Sequence, residues 1–226
     1  TIAYLDAENA YADAWFAQHE ATVETVFAEI KSRVRETDAA APVRKGDWWY
    51  TTRMVEGQSY AIHCRGRSRD TAEDTVLIDE NELAAGHDFF DMGVFDVSPD
   101  HALAAWSGDT DGGERYVMRI RDLATGADLG DELANTSWGG SAWVADASHL
   151  FYVQSDEAMR PYQVWRHRLG TPQTDDVMVF EEPDERFFVS VDLTRSGEWV
   201  VIDVGSKTSS EVRLIRATDP TAEPTL

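Results

Sequence analysis

Four short apolar runs recur along the chain at nearly constant spacing, and this repetition limits the fold more than any other feature. They are WWYTT from Trp48, ALAAW from Ala102, LFYV from Leu150 and WVVI from Trp199, with starts 54, 48 and 49 residues apart. Each is followed, after a polar turn, by a second run with apolar residues two apart: Tyr60/Ile62/Cys64, Tyr116/Met118/Ile120, Tyr162/Val164 and Val212/Leu214. Period-two alternation predicts strands with one buried and one exposed face. A further run precedes the central one in the later copies (GVFDVS, SAWVA, FFVSV). A fourth follows in DTVLID, DDVMVF and, more weakly, ADLGDEL. Ser98-Pro99-Asp100 and the Asp122–Gly126 stretch supply turns. Four strands per repeat of this length predict β-propeller blades. The fold class is therefore mainly β, a partial propeller over 42–226 with blades at roughly 42–84, 87–136, 138–182 and 186–226. The last unit ends before its fourth strand is complete, as expected for part of a larger ring. Unpaired strand edges in such a part predict self-association.

Residues 1–36 have a different character and are expected to form an N-terminal helical extension. In HEATVETVFAEIKSRV the residues Val23, Val26, Phe27, Ile30 and Val34 fall on one helical face. The preceding YLDAENAYADAWFAQ reads as a shorter helix. The apolar stripe calls for a partner surface.

The stretch RPYQVWRHRLG at 160–170 looks like a basic binding patch until it is set in the repeat. It is the third copy of the second strand, with YAIHCR, YVMRIRDL and VRLIRA as counterparts. Basic residues close every copy, where they can blunt a strand edge or pair with neighbouring acids.

The chain carries 20 basic and 42 acidic side chains, a formal net charge of −22. Nucleic acid needs a basic face, so it is excluded as a partner, as are anionic membranes. Attraction of cationic ligands is favoured, although a solvated acidic surface or a salt-adapted source explains the charge equally simply. The single cysteine, Cys64, lies on the expected buried side of its strand and cannot form an internal disulfide. It suits a reducing compartment, and a cytoplasmic location is expected. No run of apolar residues is long enough to span a membrane.

No nucleophile elbow, H-E-x-x-H or C-x-x-C is present, and the six histidines are scattered. No metal, cofactor or catalytic residue is expected in this chain. DTDGGE, beginning at Asp109, lacks the register of a calcium loop and reads as a hairpin turn. His87-Asp88-Phe89-Phe90 places a carboxylate beside aromatics where the first blade passes to the second. Asp88 is either a turn residue there or a charge facing a ligand or another domain.

Several segments together carry a resemblance. YLDAENAY, WWYTTRMVEGQSYAIHCR, NELAAGHDFFDMGVFDVSPD, YVMRIRDLATG, RPYQVWRHRLGT, EEPDERFFVSV and TSSEVRLIRA resemble, in order, the oligopeptidase B branch of the prolyl oligopeptidase family of serine peptidases. The resemblance implies a helical extension, a seven-bladed propeller and a C-terminal α/β-hydrolase domain holding a Ser-His-Asp triad. This chain would hold about four of the seven blades and would be inactive alone. Implied partners are short basic peptides, cleaved after Lys or Arg, and the chain's own hydrolase domain, with the propeller gating access. Acids near Asp88 and Asp109 would attract the substrate. Cleavage after proline, a propeller module that stands alone as a binding scaffold, and a paralogue with a lost triad are the competing readings.

Overall fold

The computed structural model describes residues 1–226, which divide into two compact units, Thr1–Val76 and Leu77–Leu226. The first opens with helices α1 (Ile2–Ala17) and α2 (Glu20–Lys31). The first helix is the longer, 16 residues against 12, reversing the expected order of lengths. Its alanine-rich sequence has no Gly or Pro to stop it. Val34, expected on the stripe of α2, lies beyond the helix. The Ser32 hydroxyl donates to the Glu29 carbonyl at 2.8 Å there, a side-chain bond that competes with continued helix. No residue of either helix is buried.

Short strands β1 (Asp38–Ala39) and β2 (Val43–Lys45) both pair with β3 (Trp48–Met54), whose other partner is β4 (Ile62–Gly66). The sheet order runs β1-β3-β4-β5, and the two units divide within β5 (Thr75–Asp79). Cys64 is buried as expected, 1% exposed. The guanidinium groups of Arg65 and Arg67 lie 3.9 and 3.6 Å from the centre of the Trp48 ring.

The second unit continues through a helical turn, α3 (Glu80–Leu83), with Asp79 as its N-cap, accepting from the Asn81 amide at 2.9 Å. Its strands follow in three blades. The first blade holds β6 (Asp91–Val97), β7 (Leu103–Asp109), β8 (Tyr116–Asp122) and the first half of β9 (Asp128–Trp143). The second half of β9 opens the next, with β10 (His149–Ser155), β11 (Pro161–Arg168) and β12 (Val177–Glu181). The last contains β13 (Phe188–Leu193), β14 (Trp199–Gly205) and β15 (Ser210–Arg216). All pairings in this unit are antiparallel between sequence neighbours. ADLGDEL, a weak strand signal in the sequence, forms the beginning of β9, pairing with β8 at Asp128, Glu132 and Leu133 across a register shift.

β9 is one continuous ladder that changes partner. Thr136 faces Tyr116 of β8 and Gln154 of β10, and the register slips between Thr136 and Ser141. Asn135, just before the slip, and Gly140, within it, both take positive φ. Gly140 also lies against the Val191 carbonyl, leaving no room for a Cβ.

Two cores join the blades. Ala142, Val144, Phe151, Val153 and Val164 meet Val189, Val191, Val200, Ile202, Val204 and Ile215. On the opposite side Trp143, Leu150 and Tyr152 meet Val94, Ala105, Met118, Ile120 and Leu133. Strand β10 therefore buries both faces, in keeping with its unbroken apolar run LFYV and unlike the alternating strand that follows it. The neighbouring blades cover it from each side.

A polar node reinforces the junction. His167 of β11 is fully buried and bonded through Nδ1 to Asp176 (2.7 Å) and through Nε2 to Asp131 of β9 (2.9 Å). The Tyr152 hydroxyl donates to Asp176 at 2.9 Å, and the Gly170 amide donates to Asp131 at 2.5 Å. Such burial is tolerable because the polar atoms are partnered. β11 lies inside its sheet, so the basic residues of RPYQVWRHRLG blunt no edge. Three of the four pair instead: Arg160 with Asp156, His167 with two aspartates, and Arg166 with the Pro220 carbonyl.

Candidate functional site

The ladders bring one set of turns to a common end of the second unit. Asp91 pairs with Asp109, Thr136 with Tyr116 and Gln154, and Ser155 with Pro161, while Gln163 pairs with Glu181. The segments beyond these pairs are neighbours across the sheet: 87–90, the 110–115 hairpin, the kink at 135–140, the 156–160 turn and the 182–187 loop. Both sequence-predicted residues, Asp88 and Asp109, are at this end.

Their environments differ. Asp88 is exposed on the segment before β6, beside Phe89, which is 42% exposed. Phe90 is buried, and its ring packs against Gly108. Asp109 is only 3% exposed. Its Oδ1 accepts from the amides of Asp111 (2.9 Å) and Gly112 (3.2 Å), and its Oδ2 from Glu114 (2.8 Å). Burial pushes the Asp109 carboxyl up, but these amides outweigh it and hold the group below the ordinary aspartate value. Asp109 thus builds the hairpin, whereas Asp111 and Glu114 occupy its exposed tip. Next to it, the Tyr116 hydroxyl donates to Asp91 at 2.6 Å. Burial, followed by that bond and nearby acids, raises the phenol well above its usual range.

Two arginines tie the turns together: Arg115, which nothing in the sequence singles out, and Arg160, which heads the stretch read as an ordinary blade strand. Arg115 donates from Nη1 to Asn135 Oδ1 (2.6 Å) and from Nη2 to the Asp156 carbonyl (3.3 Å), linking three turns. Arg160, 8% exposed, donates from Nε to Asp156 Oδ2 at 3.0 Å. Its Nη1 donates to the carbonyls of Glu182 (3.2 Å), Asp184 (3.1 Å) and Phe187 (3.0 Å). Burial raises the Asp156 carboxyl, but the bonds from Arg160 and Ala158 leave it lowered. The one available signal was Arg160's place at the head of an otherwise strand-like motif, just before a proline.

Two concavities border these turns. One, of about 610 Å³, lies between the 182–187 loop and the 206–209 turn. The other, of about 460 Å³, crosses β6, β9 and β13 and is lined by Trp138, Asp96, Asp192 and Asp203 among others. Trp138 is 49% exposed. There is no grouping of three or more His, Cys, Asp or Glu side chains suited to a metal ion. No helix is long and apolar enough to cross a membrane.

The model of the prolyl oligopeptidase N-terminal β-propeller domain matches residues 1–226. The chain is 35% identical to dipeptidyl aminopeptidase BI of Pseudoxanthomonas mexicana, covering 97% of this chain and 32% of that protein. It is 32% identical to Protease 2 of Moraxella lacunata, covering 97% and 33%. The fold superposes on oligopeptidase B from Trypanosoma brucei, in a closed form with covalently bound antipain, at a TM-score of 0.85 and 33% identity. That match covers 99% of this chain and 32% of the other. The chain therefore spans about a third of the length of these relatives. From its first helix to its last blade, the chain belongs to the prolyl oligopeptidase family of serine peptidases, within that family's N-terminal β-propeller domain.

Proposed function

We propose that this chain is the gating part of a serine oligopeptidase that hydrolyses short peptides after Lys or Arg in a reducing, cytoplasmic compartment. In the full-length protein a C-terminal α/β-hydrolase domain supplies the serine nucleophile, the histidine that moves its proton, the orienting aspartate and the oxyanion hole. The propeller's contribution is steric and electrostatic. It bars folded proteins and concentrates cationic peptides near the cleavage site. The open edge of β15 is the part of the isolated chain expected to self-associate.

The carrying observation is the acidic common end. Asp88, Asp111 and Glu114 are exposed on neighbouring turns of a chain with net charge −22, and Asp96, Asp192 and Asp203 line the adjoining concavity. Carboxylates so grouped raise the local concentration of cations and the rate of productive encounter. Asp88 acts directly in this reading, and Asp109 by holding Asp111 and Glu114 in place.

The test is kcat/KM of the full-length protein on Arg-containing peptides. Replacing Asp88 and Asp111 by asparagine should lower it by about two- to fivefold at low ionic strength and by much less at high salt. Equal values for variant and parent at low salt would remove the electrostatic role. A second reading, release of N-terminal dipeptides, is favoured by the name of the Pseudoxanthomonas mexicana relative. Mass spectrometry of the products separates the two: internal cuts after Lys or Arg support the first, and successive dipeptides the second.

A further inference from the structure

We propose that Arg160 is a positioning residue that shapes a peptide-binding cleft between the 182–187 loop and the 206–209 turn, one that engages a long peptide substrate and not a single-residue amide. This rests on the oligopeptidase reading but not on its preference for Lys or Arg. Nη1 of Arg160 draws together the carbonyls of Glu182, Asp184 and Phe187. Its Nε and backbone amide are both held at 3.0 Å by the Asp156 carboxylate. A guanidinium removed from water must be matched by acceptors, and here four residues supply them. Three carbonyls of one short loop are thereby turned towards a single nitrogen. Glu185 and Arg186 are left exposed on that loop, with the Arg186 side chain 81% accessible. The Glu182 carboxylate completes the fold of the loop by accepting from the Asp184 amide at 2.8 Å.

The loop so fixed is one wall of the 610 Å³ cleft, and the Ser206–Ser209 turn is the other. Phe188, 48% exposed, adds an aromatic surface, while Glu185 and Lys207 place opposite charges at the lining. That chemistry suits an extended peptide: a hydrophobic side chain on Phe188, and polar or charged groups at Glu185, Lys207 and the serine hydroxyls. The cleft adjoins the 156–160 turn through Arg160 itself, so it lies at the end of the blades that also presents Asp88.

The experiment compares, in the full-length protein, kcat/KM for a long peptide with that for a blocked single-residue amide, taken as a ratio. Arg160→Met and Phe188→Ala should each lower the ratio about fivefold, with KM for the long peptide carrying the change. Arg160→Lys keeps the charge but loses the forked donor geometry, and should give an intermediate value. A ratio equal to the parent's in Arg160→Met, with only a lower melting temperature, would overturn the proposal. If Arg160→Met does not fold, the exposed Phe188→Ala variant decides, since an unchanged ratio there equally removes the subsite. A parent enzyme with no preference for Lys or Arg would refute the cleavage specificity alone. The length ratio is then measured with the residue it does accept.

Discussion

His167 shows how a residue type with several chemistries is given one by its surroundings. In sequence it is one of six scattered histidines within a basic run. In the fold it is fully buried between Asp131 and Asp176, joining the outer strand of one blade to the next. His167→Ala leaves two buried carboxylates without their shared partner. Stability should fall by about 3–5 kcal/mol, measured as a lower denaturant midpoint. Asp184 is a contrasting surface case. A side-chain bond from Arg186, then the Arg186 amide, lowers its carboxyl to about 2. A carboxyl depressed in the folded state stabilises above its unfolded value of about 4 and loses that contribution as pH falls towards 2. Arg186→Gln should move the Asp184 midpoint up towards the ordinary aspartate value. Carboxyl chemical shifts followed by NMR between pH 5 and 2 would show this, and an unmoved midpoint would contradict the pairing.

At the scale of elements, the strands were legible because each carries its own period. The runs beginning at Trp48, Ala102, Leu150 and Trp199 fall in β3, β7, β10 and β14, and their partners fall in β4, β8, β11 and β15. Less legible was the doubled role of β9, whose partner switch depends on backbone conformation at Asn135 and Gly140 and on the approach of Val191. The candidate site was legible only in part. Asp88 and Asp109 could be picked out by their aromatic and turn neighbours. The Arg160 latch could not, because three of its four acceptor residues offer backbone carbonyls 22 to 27 residues away and carbonyls have no sequence signature. Strand edges carry a prediction of their own. Beyond β14, β15 is paired only through a single bridge from Leu214 to Thr225. An edge with free backbone donors and acceptors recruits another. Light scattering over a dilution series should show the chain above monomer mass at high concentration; a constant monomer would sink this expectation.

For the whole molecule, charge is the dominant quantity. With 42 acidic against 20 basic groups, the native state repels itself at neutral pH. The ion pairs that relieve this are few and mostly at the surface, where each contributes little. Added sodium chloride should therefore raise the melting temperature at pH 7 through the range in which screening is strongest. A melting temperature that falls or stays level with salt would mean the acids are already neutralised by local partners.

What the sequence by itself determined is the local grammar: the helical start, strand spacing, the four-strand unit and the strong acidity. Apolar period and turn residues act over a few positions and need no distant partner. Tertiary structure alone decided which blades cover β10 on its two faces, that Arg160 and Arg166 of RPYQVWRHRLG bond to loop carbonyls instead of guarding an edge, and which turns share one end of the blades. Each depends on residues far apart in sequence being brought within a few ångströms, through side-chain packing and backbone hydrogen bonds that no local pattern encodes.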